Sequence, residues 1–430
     1  VKEIELLNAP TVQERLKNLN KIVLSGIPVP EPAGEVNNHV HTFYSFSPYS
    51  PTLAAYKAYQ AGLEAVGSID HDSIAAAREM RSACSILGIA STAGCELRVN
   101  FSGTSVEGRT LNNPDLPNIG YIVFQGVPEH SIDQLDAFLR PIQEARNLRN
   151  RQMVLELNRQ IEPFNIDKID YMDDVYNQSM ASEGGSITER HIIFALCRKM
   201  EAAFGRGKNL MSFLTEKLDI NLPEKIQTRL KDSENPHYIY DLLGILKSTF
   251  TETFFISPTE EECIPVSKAV DFVNRVGGIP AYAYLGDVTE SPTGDKKAQE
   301  FEDDYLEELL EELKDLGFKA VTYMPPRNTR EQLSRVQKLC AGYDLMEISG
   351  VDINSSRQSF NCPEIQDPQF RHLFKNTWAL IAHERLSELS PSLGLFSPDN
   401  PFRMKGLLKR IELYSGMGRA VSGVQDGERS

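Results

Sequence analysis

The chain has 430 residues, with 45 lysines and arginines against 60 aspartates and glutamates, and a formal charge of −15. That length suits two or three domains, or one barrel carrying an insertion, and the charge argues against a nonspecific grip on nucleic-acid backbone, so no duplex partner is expected. No apolar run approaches the roughly 18 to 20 residues of a membrane span, no basic-then-apolar leader is present, and the six scattered cysteines, none at CxxC spacing, suggest neither a disulfide framework nor a zinc ribbon.

A cytoplasmic protein with reduced thiols and no membrane partner is therefore the expectation. Residues 11–24 carry the pattern of an amphipathic helix, and "SGIPVPEPAG" is a Gly/Pro loop leading into a strand near 36–41. Then "PTLAAYKAYQAGL" reads as helix, "EAVGSID" as strand, "SIAAAREMRSACSILG" as helix and "IASTAGCELRV" as strand; these β-then-α steps predict a parallel sheet. After a turn-rich stretch, "GYIVFQGV" is a further strand, and residues 133–250 become almost wholly helical in pattern, as a helical insertion would. Alternation resumes with helix "VSKAVDFVNRVGG", strand "IPAYAYL", acidic helix "EDDYLEELLEELKDLG", strand "KAVTYMP", helix "REQLSRVQKLCAGY", strand "LMEISG" and strand "TWALIAH". In the acidic helix Leu306, Leu309, Leu310, Leu313 and Leu316 recur at helical spacing, so its carboxylates form a solvated outer face.

About seven strands separated by helices predict a closed or nearly closed β/α barrel. The layout is an N-terminal helix and loop (1–35), a first part of the barrel (36–132), a mostly helical insertion (133–255), a second part of the barrel (256–390) and a C-terminal extension (391–430) with a basic helix, read as a structural cap.

His39 and His41 close the first predicted strand, Asp70 and His71 the second, and Glu96 the third. Parallel neighbours would bring these groups to the C-terminal rim, where β/α barrels build their sites. Residues two apart on a strand share a face, so His39 and His41 can both face one cation while Val40 points away. Imidazole with carboxylate suits zinc, iron or manganese better than calcium. A lone HxH pair would fit ordinary core or surface histidines better than a metal site; three strand ends bearing such groups favour a metal.

These segments, "HVHTFYSFSPYSP", "SIDHDS" and "GCEL", resemble the opening motifs of the PHP (polymerase and histidinol phosphatase) family. Its members are metal-dependent phosphoesterases on a distorted seven-stranded β/α barrel. "RNLRNRQMVLELN" followed by "ITERHIIFALCRKM" is similar to the helical insertion of the branch that removes phosphate from nucleotides, and "ISPTEEECIPVSKAVDFVNRVGGIPAYAYL" to that branch's return to the barrel. The resemblance spans residues 36–390. It implies an α/β fold, a distorted (β/α)7 PHP-type barrel with an α-helical insertion, binding one or two divalent metals (Zn, Mn or Fe). It further implies that His39 and His41 bind a first metal, that Glu96 bridges it to a second and that His71 faces a third. Arg190 and His191 would hold substrate phosphate, since guanidinium can pair two phosphate oxygens at once, and His71 or Asp70 would orient water or assist proton transfer. The plain alternative for Arg190 and His191 is a surface charge pair near a helix start.

The departures from the family pattern are as informative. Where the family has Ser-Asp-Gly after the HxH, Ser45 is followed by Phe46, whose ring cannot ligate. In "PNIGYIVF" Asn118 is the nearest polar match to a second-metal histidine, and Tyr284 stands at the histidine of the family's Ala-His-Pro. The closing Gly-Ser-Asp-x-His best matches "IAHER", placing Glu384 at the Asp, Leu386 at the last histidine and His383 beside them as a metal-site candidate; Asp352 in "SGVDINSS", or Glu347, is the alternative acid. Tyr44 and Tyr284 read as aromatic pocket wall. A first site of His39, His41, Glu96 and Glu384 would survive, whereas the second and third would each lose two ligands. Two functions stay open: a phosphoesterase hydrolysing a small phosphate ester (nucleotide or sugar phosphate) with metal-activated water, and a non-catalytic or altered-chemistry barrel that binds a small phosphorylated ligand in a depleted metal site. The sequence leaves the oligomeric state open.

Overall fold

The computed structural model describes residues 2–113, 116–288 and 300–422. Helices α1 (Lys2–Leu7) and α2 (Val12–Leu24) come first. Thr11 and Glu14 start α2 as a reciprocal cap, each side chain accepting the other's backbone N–H. Arg15 on α2 is fully buried and forms a bidentate pair with Glu79, Nε to Oε1 at 2.8 Å and Nη2 to Oε2 at 2.7 Å. The Thr52 hydroxyl donates to the same carboxylate at 2.6 Å. With Leu7 and Leu19 in the adjoining apolar cluster, this pair fixes the N-terminal helices to the outside of the sheet.

β1 (Val36–Val40), α3 (Pro51–Gln60), β2 (Ala65–His71), α4 (Ala77–Leu87) and β3 (Ala90–Asn100) make the two expected steps, with parallel pairing throughout. β4 (Ile119–Gln125) departs from the predicted parallel sheet: it runs antiparallel to both β3 and β5 (Ile279–Ala283). The physical reason is the connection. Parallel neighbours need a crossover that carries the chain back to the other end of the sheet, and the described residues between β3 and β4 contain no helix to do so. β4 therefore brings its N-terminal end, not its C-terminal end, to the rim where β3 finishes.

α5 (Ile132–Ile161) follows, a helix of 30 residues and hence ~45 Å long, which rises from the far end of β4 past the rim. With α6 (Glu189–Phe204), α7 (Lys208–Glu216), α8 (Glu224–Lys231) and α9 (Tyr238–Phe250) it builds a separate apolar cluster around Met153, Leu157, Ile192, Leu196, Leu242 and Leu246. α10 (Val266–Arg275), β5, α11 (Leu306–Asp315), β6 (Ala320–Tyr323), α12 (Arg330–Gly342) and β7 (Met346–Ser349) complete the sheet, whose seven strands lie in sequence order. In α11 Leu306, Leu309, Leu310 and Leu313 are buried, as their spacing predicts. The two edges meet just past β7: His41 N–H donates to Ile353 O at 2.9 Å and Ile353 N–H to His39 O at 3.2 Å. The result is a nearly closed seven-stranded barrel.

"TWALIAH", read as a strand, lies inside helix α13 (Arg371–Leu389). Residues 376–384 are buried without a break, and a helix that is apolar all round presents the same run of residues as a buried strand. α13 lies across the N-terminal end of the barrel. Asn38 donates to its Thr377 hydroxyl at 2.7 Å, its Asn376 donates to Glu347 O at 2.7 Å, and its Ala379 and Leu380 pack with Ile69, Val123, Ala281 and Ile348. α14 (Leu407–Ser422) covers α13, approaching so closely that a Cβ on Gly418 would sit 2.2 Å from Trp378 O. Among the described residues no helix is long and apolar enough to cross a membrane.

The Arg15–Glu79 pair gives a direct test of this scaffold. Arg15→Ala leaves a buried carboxylate without its countercharge and should lower stability by about 3–5 kcal/mol in urea unfolding. The Arg15→Ala/Glu79→Ala double variant should lose less than the two single losses combined.

Candidate metal centre

The rim gathers the strand-end groups. A register shift between Asn37 and Val40 interrupts the pairing of β1 with β2, a local irregularity of the kind that re-aims side chains at strand ends. His39 Nε2 and His41 Nε2 face each other at 3.2 Å. Glu96, cross-strand partner of His71, completes a buried group whose ligand atoms lie within 4.8 Å of one another. Asp352 arrives from the segment past β7 and places Oδ1 3.2 Å from His41 Nε2. Gly350 permits that approach, for a Cβ there would lie 2.4 Å from the Cβ of His39. Asn354 donates to Asp352 Oδ1 at 2.8 Å and steadies the carboxylate. His71 Nδ1 stands 2.8 Å from Glu96 Oε2, its ring 4.6 Å from that of His41.

Asp70 sits beneath this group. Its carboxylate accepts from Thr42 N–H at 2.7 Å, from the Thr42 hydroxyl at 2.6 Å and from the Ser45 hydroxyl at 2.6 Å. With the Ser45 proton committed to Asp70, the 3.3 Å contact from Ser45 Oγ to His41 Nδ1 is satisfied only if Nδ1 carries hydrogen. The neutral His41 ring therefore presents a bare lone pair on Nε2, the arrangement by which an outer hydrogen bond orients a metal-ligating imidazole.

The electrostatics agree. Burial lowers the His39 pKa and raises that of Glu96. Burial also pulls His41 down, but the Asp352 carboxylate outweighs it and the net shift is upward. Burial pushes Asp352 up, and His41, with help from His39 and Arg190, overrides it and holds the carboxyl well below its usual range. A proton on His41 Nε2 and a cation are alternative occupants of one position. Two imidazoles and two carboxylates converging there fit a divalent transition-metal ion. Ser45→Ala should weaken metal affinity roughly 10–100-fold in chelator competition, with the far-UV circular dichroism unchanged.

The remaining candidates divide. Arg190, second residue of α6, is half-buried and its side chain forms no hydrogen bond or ion pair among the described residues, while its charge acts on Asp352. His191 accepts the Thr188 N–H at Nδ1 (3.0 Å) as part of the α6 cap and packs edge-on against Phe46, ring centres 5.0 Å apart. Burial, then Arg146, lowers its pKa to about 3, so it is neutral with hydrogen on Nε2. Phe46, at φ 87°, turns its ring into the apolar cluster of the insertion.

His383 and Glu384 lie outside the centre. His383 donates from Nε2 to Gly277 O and accepts from Leu395 N–H, both at 2.9 Å, and Glu384 accepts from Ala93 N–H at 2.8 Å near the start of β3. They sit on the helix that covers the opposite end of the barrel, so the expected ligand role is replaced by hydrogen bonding within α13's contacts. Leu386 is on the same helix. Asn118 is in the turn before β4, where its side-chain Oδ1 accepts from Gly108 N–H. Tyr284 donates to Asp303 at 2.5 Å, and Glu347 accepts from Tyr323 and faces His372. Tyr44 is buried, and burial raises its pKa to about 12.

Two features escaped the sequence reading. Tyr121, opposite Arg98 across β3 and β4, brings its ring within 5.9 Å of that of His71; only the antiparallel course of β4 puts it at the rim. Buried Arg98, Arg146 and Arg149 meet Asp72, Glu189 and Glu262: Arg98 pairs with Glu262, Arg146 with Asp72 and with Glu189 at 3.0 Å, and Arg149 with Glu189 at 2.8 Å and Glu262 at 2.6 Å.

Glu384 supplies a pH test. Burial lifts its pKa from 4.5 to about 8. The folded state thus retains a proton that the unfolded chain releases, and the associated stability is lost as pH rises from about 4.5 to 8. Glu384→Gln should flatten that part of a pH series of urea unfolding curves and leave metal content unchanged.

No family model matches the chain, and no curated protein matches it. Among solved structures it is similar to an amidohydrolase from Chromobacterium violaceum, determined with bound sulfate and no metal, and to a protein from Bifidobacterium adolescentis described as a metal-dependent phosphoesterase. Each is 17% identical with a TM-score of 0.48, covering 79% of this chain and 95% and 96% of theirs, respectively.

Proposed function

We propose that this chain is a PHP-type phosphoesterase that hydrolyses a small phosphate ester, a nucleotide or a sugar phosphate, with a divalent metal held by His39, His41, Glu96 and Asp352. The observation that carries the reading is the convergence of these four side chains on one rim, from β1, β3 and the segment past β7, beside an Arg190 that forms no ion pair among the described residues and whose charge acts on Asp352. A bound Zn, Mn or Fe ion supplies Lewis acidity and lowers the pKa of a bound water.

The chain's own groups do the rest. Asp70 and Ser45 fix the His41 ring; Asp70 is thus a positioning residue rather than the water-orienting group expected. Arg190 offers a planar fork of donors to the phosphoryl oxygens, and His191 an N–H at Nε2. His71, neutral because burial and then His41 hold its pKa well below the ordinary value, stands against Glu96 where it can accept and pass on a proton from water. A second metal would have Glu96 and His71 to hold it.

A non-catalytic phosphate-binding protein is the second reading. It is favoured by Phe46, which spends the position after Ser45 on apolar packing. Metal analysis separates the two. The hydrolase reading expects one tightly held metal per chain, and phosphate release from a panel of nucleotides and sugar phosphates after loading with Mn, Fe or Zn. His39→Ala and Asp352→Ala should each abolish release and remove the metal, whereas no turnover with any metal would exclude the hydrolase.

A further inference from the structure

A centre with few metal ions must neutralise the charge of a phosphoryl group by other means, because clustered cations normally share that task. Three buried arginines beside the rim are not free to do it: Arg98, Arg146 and Arg149 are matched by Asp72, Glu189 and Glu262. Two others differ. Arg190 has no partner, and neither of the amino groups of Arg327 meets an acceptor among the described residues.

Arg327 lies in the loop between β6 and α12, at the C-terminal end of β6, on the rim that also carries the Asp352 segment beyond β7. Its Nε donates to Leu285 O at 3.1 Å, its guanidinium stands 5.8 Å from the centre of the Phe301 ring, and Nη2 is buried with no hydrogen bond. Leaving such a donor unmade costs about 1–3 kcal/mol. The side chain is therefore anchored while its amino groups remain unspent. Among the described residues, Glu302 and Asp352 are carboxylates whose charge reaches it. Glu302 is bound through Oε1 to Leu285 N–H at 2.9 Å and makes no ion pair with Arg327.

We propose that Arg327 is a catalytic residue of this centre, donating from its free amino groups to a non-bridging phosphoryl oxygen and, with Arg190, supplying charge that additional metal ions would otherwise supply. The inference rests on the phosphoesterase reading. In the step it serves, the oxygen of water bonds to phosphorus, the ester P–O bond breaks, and a proton from the water ends on the departing alcohol. Arg327 gains and loses neither proton nor electrons. Such fixed donors act where charge develops in the transition state.

The test compares wild type, Arg327→Ala and Arg327→Lys, all loaded with Mn. For an ester that the wild type hydrolyses, Arg327→Ala should lower kcat roughly 100–1,000-fold with metal content unchanged. Added guanidinium should restore part of the Arg327→Ala rate, which a purely structural role would not allow. Arg327→Lys keeps the charge without the fork and should fall between; it decides the matter if the alanine variant fails to fold. Binding of inorganic phosphate, measured by calorimetry, provides a readout independent of turnover. If the wild type binds phosphate and the Arg327 variants bind it equally with unchanged kcat, the role of Arg327 is overturned alone. If the wild type neither binds phosphate nor turns over any ester, the phosphoesterase reading falls and this inference with it.

Discussion

Two backbone hydrogen bonds govern the centre: those that tie His39 and His41 to Ile353. They close the barrel between its first strand and the chain beyond its last, and in doing so set Asp352 against His41. Closing the barrel and bringing Asp352 to His41 are one event. The requirement reaches back into the sequence, since only glycine at position 350 allows the returning chain to lie so near His39. Loss of the seam would leave two histidines and a glutamate on one side and an isolated aspartate on the other.

The insertion is joined to the rim by a different kind of contact. Six charged side chains from β3, α5, α6 and the segments around Asp72 and Glu262 pair with one another in a buried, charge-balanced network. Burying charge is costly unless every member is matched, so the network is an all-or-none fastening. Phe46 makes the apolar half of the joint, passing from a barrel loop into the insertion's cluster. A ring that cannot ligate thus still has a purpose at that position: it packs against His191 and Phe194 of α6, the helix that also carries Arg190.

Much of this was legible in the sequence. The strand-end spacing of His39, His41, His71 and Glu96 pointed to one rim because β1, β2 and β3 are parallel, and the helical pattern after position 133 is matched by α5 to α9. What failed did so for identifiable reasons. The direction of β4 depends on its connection rather than on its own residues, so Tyr121 was overlooked in favour of Asn118. The uniformly apolar "TWALIAH" carries no period by which to tell helix from strand, and that error drew the late acid to Glu384 when Asp352 was the neighbour of His41. The arginine network left no trace because its partners are separated by tens of residues in the sequence and meet only in three dimensions.

The helix that misled the reading also shapes how the molecule must work. By lying across the N-terminal end of the barrel, α13 closes that end and leaves the opposite rim, where His39, His41, Glu96 and Asp352 meet, as the side from which a ligand would reach them. Under the phosphoesterase reading, an ester would arrive and its two products would leave by that one rim, past Arg190. Departure of product and arrival of the next ester would then compete for the same opening.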